Sequence, residues 1–414
     1  MAMKTKVESP GRRIASNRTH SNLLSLLMAG LALRAAGAEP AGEPSSAENS
    51  APLIKVDKSI SAVPGVRMRN IEVFALVGPD QITKRDYLTL SEAMDKHLVR
   101  IDETRNVSEL KIENLSGGAH VFIQAGDIVK GGQQDRVLIT DLVLPPKSGQ
   151  QPIGSFCVEQ GRWTRRTGES AADFSKSDKQ LITMMQRYAV KSAKQQSAVW
   201  TEVDKSKKAL TMNAPKITGR EINVEANASP SSLQLALENK DLADALKQMR
   251  EELTAKLLQR SDVIGVAYAI NGKLVNAEIY GSARLFAKLR NKVLEAAAAE
   301  AVTELTDDKV VPQAITEQEL CAFLKTEGLS ELKPSKPNAQ TEWREREESK
   351  RAVFESRDAD FRDATCHRNV ILADESVKAS VRGNPGIYNY STRPQRGSQN
   401  AAPEQRPRRQ TAQP

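Results

Sequence analysis

The chain has 414 residues, with 60 Lys and Arg against 52 Asp and Glu, 39% apolar residues and 4% aromatic ones; this excludes a collagen, a continuous coiled coil and a polytopic membrane protein. The net charge of +8 is concentrated at the ends, since residues 1–38 hold six bases and one acid, residues 376–414 hold seven bases and one acid, and the stretch between them carries a net −3. A domain that grips nucleic acid through its phosphates brings a basic face of its own, so no specific nucleic-acid binding is expected.

In chain order, Arg12, Arg13 and Arg18 precede an apolar run at 23–33 and then Ala36-Gly37-Ala38, the pattern of a secretory signal cleaved after Ala38. The run is too short to span a bilayer. The expectation is an exported chain, periplasmic or secreted, with no transmembrane segment once the signal is removed. Residues 39–59, rich in Glu, Pro, Ala and Ser, read as a disordered linker.

From residue 60 the apolar positions alternate or cluster in short runs bounded by turn residues, so that 66–77, 109–115, 119–124, 136–144 and 153–160 are predicted strands. Residues 90–97 read as a short helix, and Gly117-Gly118 as a hairpin turn between two strands. A helical pattern starts near Ser177, with Leu181, Met184, Met185, Tyr188 and Ala189 three and four apart, and runs to Trp200. The polar stretch 205–229 reads as a variable connection. Leu242, Leu246, Met249, Leu253 and Leu257 form the stripe of an amphipathic helix.

The strongest local signal is Asn271-Gly272 between two β runs, the dipeptide preferred in a type I′ turn, which predicts a hairpin over 263–280 with the small residues Gly265, Ala267 and Ala269 lying under a helix. Ser282 caps a following helix with Phe286, Leu289, Val293 and Ala297 on its buried stripe. Thr316 and Glu319 make a capping box for a short helix carrying Cys321. Residues 344–362 read as a charged, solvated helix, and the chain from 375 to 414 as a disordered basic tail. The resulting fold class is α+β: a mostly antiparallel β unit packed with several helices, with disordered termini. The domain occupies 60–305 and a helical, charged extension 306–374.

Three cysteines remain after the signal, Cys157, Cys321 and Cys366, so at most one disulfide can form, with Cys321 and Cys366 the favoured pair. Four histidines without a Cys-x-x-Cys leave no zinc site, and no cofactor or metal is expected. Cys366-His367 reads as incidental.

Chemistry-bearing residues are densest in Gln134-Asp135-Arg136 after Gly131-Gly132, and in Glu159-Gln160-Gly161-Arg162-Trp163 after Cys157. Arg136 and Arg162 offer guanidinium forks to an anion, Asp135 and Glu159 can balance them, and Trp163 supplies a stacking face. The same residues can equally form a closed salt-bridge network. The glycines do not make a phosphate loop, because the Lys-Ser/Thr ending and the following helix are missing.

The run 131–138, the segment 157–163, the stretch 196–203 around Trp200, and 263–278 with the helix after it resemble the ARG and Rhodanese-Phosphatase-superfamily-associated Protein domain, over roughly 63–301. The resemblance implies a link to nucleotide or ADP-ribose metabolism and carries no catalytic assignment, so catalytic residues stay unassigned. Two functions follow as expectations. One is a non-catalytic module that binds a small anionic or polar ligand, or an unknown partner protein in the envelope, through Gln134, Asp135, Arg136, Glu159, Arg162 and Trp163. The other is a hydrolase acting on a nucleotide-like or sugar-phosphate substrate through Asp127, Asp135 and Glu159. A Cys157 nucleophile beside His97 or His120 is a weaker third reading.

Overall fold

The computed structural model describes residues 52–382 except 105, 163–165, 167–173, 307–311, 327 and 329–330. The expected signal segment, most of the linker, the greater part of the basic tail and Trp163 lie outside the described residues. All described residues fall in one unit that begins at Ser50.

The strands are β1 (Ile54–Lys55), β2 (Ser61–Ala62), β3 (Val66–Met68), β4 (Ile71–Val77), β5 (Leu88–Thr89), β6 (Val99–Glu103), β7 (Glu109–Asn114), β8 (Val121–Ile123), β9 (Ile128–Gly131), β10 (Arg136–Leu138), β11 (Leu142–Leu144), β12 (Gln151–Cys157), β13 (Phe174–Ser175), β14 (Val263–Ile270), β15 (Lys273–Tyr280), β16 (Thr341–Glu347), β17 (Arg351–Asp358) and β18 (His367–Leu372). The helices are α1 (Leu90–Asp95), α2 (Met184–Tyr188), α3 (Gln196–Asn213), α4 (Pro215–Thr218), α5 (Leu233–Leu237), α6 (Lys240–Leu257), α7 (Ala283–Thr303), α8 (Glu317–Leu324) and α9 (Glu375–Arg382). None of them is long and apolar enough to cross a membrane.

A nine-stranded sheet runs β1-β2-β4-β14-β15-β18-β17-β16, with β3 added on β4. A six-stranded sheet runs β13-β9-β10-β12-β7-β6, and a three-stranded one β11-β8-β5. Apart from the parallel pair β5 and β8, the ladders are antiparallel. The fold class is therefore α+β, as the sequence pattern indicates.

The hairpin β14–β15 turns at Asn271 (φ 50°) and Gly272 (φ 77°), the two left-handed residues that a type I′ turn requires. Ser282 accepts from the Leu285 N–H and starts α7. The α6 stripe from Leu242 to Leu257 and the α7 stripe Phe286, Leu289 and Val293 are buried, and the two helices pack together, α7 also against β14 and α6 against β4. The side chain that meets α7 is that of Tyr268, which donates to Glu300 at 2.9 Å. By strand alternation the Gly265 and Ala267 face is the one turned away from α7.

Two apolar cores result. The larger lies between the nine-stranded sheet and the helices. The smaller, with Ile101, Leu110, Ile112, Val121, Val129 and Leu138, is enclosed by the two smaller sheets and α1.

Several expectations are corrected. Gly117-Gly118 does not close a hairpin: β7 pairs with β6 and β12, whereas β8 pairs with β11 and β5. The helix expected from Ser177 begins only at Met184, where Thr183 and Gln186 form a capping box, and it is interrupted by a π turn, Ala189–Ala193, before Lys194 turns left-handed and α3 begins. The first part of the expected connection 205–229 is helical, within α3 and α4.

Residues 344–362 are not a helix. They form the β16–β17 hairpin, and β18 joins β17 to β15, so this segment completes the main sheet. The start of the expected tail is helix α9, with Val377 and Val381 buried. All three cysteines are free: Cys366 is buried, and the Cys321 thiol meets the Lys55 carbonyl.

Candidate functional site

The β10–β12 register sets Arg136 opposite Cys157 and Leu138 opposite Ser155. Adjacent residues alternate in direction along extended backbone, which separates Asp135 from Arg136. Asp135 and Glu159, both fully buried, are drawn together by the Asp135 N–H, which donates to Glu159 Oε2 at 3.1 Å. Arg166 donates to both oxygens of Asp135, at 2.6 and 2.9 Å, and to Glu159 at 3.2 Å. Arg162 Nε reaches Glu159 at 2.6 Å and its Nη1 the Gly132 carbonyl at 3.2 Å. Ser232, the cap of α5, and the Gly131 N–H complete the Asp135 shell at 2.8 and 3.0 Å.

Two acids and two arginines thus neutralise one another in a filled network. Arg166 was not singled out in the sequence. It lies in a run with Arg162 and Arg165, and nothing in the spacing selects among them.

Arg136 stands apart from this network. It is 4% exposed; its Nη1 donates to the Val107 carbonyl and, at 2.8 Å, to the Cys157 sulfur. Among the described residues its Nε has no partner, nor has the buried hydroxyl of Ser155 on the same face of the ladder. Gln134, also fully buried, has neither amide atom bonded among the described residues. Burial pushes the Cys157 thiol up to about 11 against the pull of Arg136, and its backbone N–H and carbonyl are held by the Gln196 amide at 2.8 Å each. A thiol so protonated, with Arg136, Glu103 and Glu159 as the charged groups that act on it, does not make a Cys–His nucleophile.

A second polar network lies between the main sheet and the smaller sheets. Its hub is His367, a residue that reads as incidental in the sequence. The 2% exposed imidazole meets Asp141 Oδ2 through Nδ1 at 2.7 Å and Glu278 Oε2 through Nε2 at 2.6 Å. It stacks on Tyr280, with ring centroids 4.6 Å apart, and Phe122 meets it edge-on. Asp141, in the link from β10 to β11, also accepts from Ser356 of β17 at 2.6 Å and from the Ala125 N–H at 2.8 Å.

Burial alone would lower the His367 pKa, but the two carboxylates outweigh it and hold the ring up at about 9. Burial would raise both acids, and His367 with Lys191 keeps them below their ordinary values. Lys191, fully enclosed, donates to Asn369 at 2.7 Å, and burial pulls it below the usual lysine range. Nearby, Asp127 pairs with Lys292 of α7, and Glu300 with Arg187 at 2.9 Å. The two carboxylates sit at opposite nitrogens of one ring, and among the described residues no His, Cys, Asp and Glu group is arranged to hold a metal.

Two open grooves lie elsewhere. One, of about 610 Å³, is lined by His97, Arg100, Leu115 and Phe174 among others. The other, of about 490 Å³, runs past Lys273, Glu319, Phe323 and Arg351. Neither is lined by a member of the two networks.

The family model described as ARG and Rhodanese-Phosphatase-superfamily-associated Protein domain matches residues 59–371, and the chain belongs to that family. The match runs through β16 and β17 and into β18, beyond the 60–305 span expected for the domain from sequence. No curated protein and no solved structure matches the chain.

Proposed function

We propose that this member of the family is a non-catalytic module that binds a small anion, such as a phosphate or carboxylate group of a larger ligand, at Arg136. The observation that carries the reading is that Arg136 is a buried guanidinium with no carboxylate at ion-pair distance among the described residues. An uncompensated buried charge costs several kcal/mol. An anion meeting the Nε edge and the Ser155 hydroxyl would supply the missing charge through forked, charge-assisted hydrogen bonds.

The hydrolase alternative has less support. Asp135 and Glu159 already accept from the two arginines, and Asp127 is bonded to Lys292, so none of the three is an idle acid or base. Export with cleavage after Ala38 is part of the same proposal; the amino-terminal sequence of the protein recovered outside the cytoplasm should begin at Glu39.

Thermal-shift titration with inorganic phosphate, ADP-ribose, nucleotides and sugar phosphates tests the site. A ligand at about 100 times its Kd stabilises the folded state by about 2.7 kcal/mol. That shift should appear in the native protein and be lost in Arg136→Gln. Equal shifts in both proteins, or none in either, would remove the reading.

A further inference from the structure

We propose that His367 is a proton-dependent latch that fastens the main sheet to the two smaller ones and releases them in alkaline solution. His367 stands on β18, Glu278 on the neighbouring strand β15, and Asp141 on the link between the six- and three-stranded sheets. Both ring nitrogens face carboxylate oxygens within hydrogen-bond distance. A neutral imidazole has one N–H and one lone pair, so it can satisfy only one of these acids, while an imidazolium satisfies both.

The titratable and charged groups around the ring come from each element packed on it. They are Asp141 from the β10–β11 link and Glu278 with Tyr280 from β15. Lys191 of the π turn and Arg187 of α2 act on Glu278, and Lys191 acts on Asp141 as well. Arg187 is matched by Glu300, and Asp127 by Lys292. What remains is Asp141 and Glu278 against His367 and Lys191, a set whose charges cancel only when both bases hold their protons.

Loss of the ring proton leaves a lone pair against a carboxylate oxygen and a net negative charge in a buried layer. The least costly response is to part the Asp141 contact, because Glu278 is tied to His367 through adjacent strands of one sheet whereas Asp141 lies on the link between the other two sheets. The sign follows from a ring held up at about 9 against an ordinary 6.5. The contribution to stability is complete below about pH 6.5 and is lost as the pH rises through about 9.

The experiment uses the full chain with labelled histidine. At pH 7 the nuclear resonance spectrum of the His367 ring should show a proton on both nitrogens, and one should disappear in a transition near pH 9. A ring nitrogen bare at pH 7 overturns the latch. Hydrogen exchange then locates the opening: above the transition the Ala125 amide, which donates to Asp141, should lose protection while the β14–β15 amides keep theirs. Uniform loss across all strands would mean global unfolding and would also overturn it.

In a third measurement, the melting temperature of the native protein should fall by several degrees from pH 7 to 10, and that of His367→Gln should stay flat over the same interval. Parallel curves count against the proposal. If His367→Gln does not fold, the ring spectrum of the native chain still decides.

Discussion

The Asp135 network and the His367 network are both buried, hydrogen-bonded sets of acids and bases, but they differ in the cations they use and in the length of chain they draw together. In the first, Arg162 and Arg166 supply charge that does not titrate in the range where proteins fold, and the partners lie within residues 131–166 except for Ser232. In the second, the cations are a histidine and a lysine, and His367 is 226 residues from Asp141 and 89 from Glu278. Buried charge is neutralised in each case. Only in the second does neutrality depend on pH.

Removing a charge from the first network should have the largest effect. Asp135→Ala leaves Arg166 without its bidentate partner in a fully buried site, so urea unfolding should show a loss of about 3–5 kcal/mol. That loss should be the same at pH 6 and pH 9. A change smaller than about 1 kcal/mol would show that the arginines find water instead, and the contrast between the networks would lose its first half.

The second effect is smaller and moves with pH. The stability difference between the native chain and His367→Gln should be on the order of 2–3 kcal/mol near pH 6. It should shrink as the pH rises through about 9, the value at which the two carboxylates hold the ring. A difference that grows with pH would reverse the sign of the argument.

The same contrast explains what could be read from the sequence. The acids and Arg162 of the first network are recognisable because glycine turns and polar residues of unusual density sit close together along the chain. Hairpin β14–β15, helices α6 and α7 and the α8 capping box were readable for a similar reason: each is decided by residues within one or two turns of one another.

His367 offered no such cue. Its partners are assigned by sheet order, and neither the 226-residue nor the 89-residue separation corresponds to any local period. The β16–β17 hairpin was hidden for another reason. Thr341-Glu342-Trp343-Arg344-Glu345-Arg346-Glu347 lacks the apolar alternation of a half-buried strand, because its polar heads are satisfied by other elements: Glu345 by Lys194, and Glu347 by Tyr188, Ser192 and Arg382. A chain rich in Arg and Glu reads as a solvated helix when such partners are unknown.

Arg136 gives the smallest expected change in stability and the sharpest test of the comparison. Composition alone would rank it with Arg162 and Arg166, as one more buried guanidinium at the end of the β unit. The geometry separates it. Removing Arg166 takes from Asp135 its bidentate cation, whereas removing Arg136 costs, among the described residues, the hydrogen bonds to the Val107 carbonyl and the Cys157 thiol, and it also relieves the cost of burying an unmatched charge. The lost hydrogen bonds and the space left by the side chain oppose that relief. Arg136→Ala should therefore shift the unfolding free energy by no more than about 1 kcal/mol in either direction, against about 3–5 kcal/mol for Arg166→Ala. If Arg136→Ala proved as damaging as Arg166→Ala, Arg136 would be a structural cation with an unrecognised counter-charge, and the proposed anion site would lose its basis.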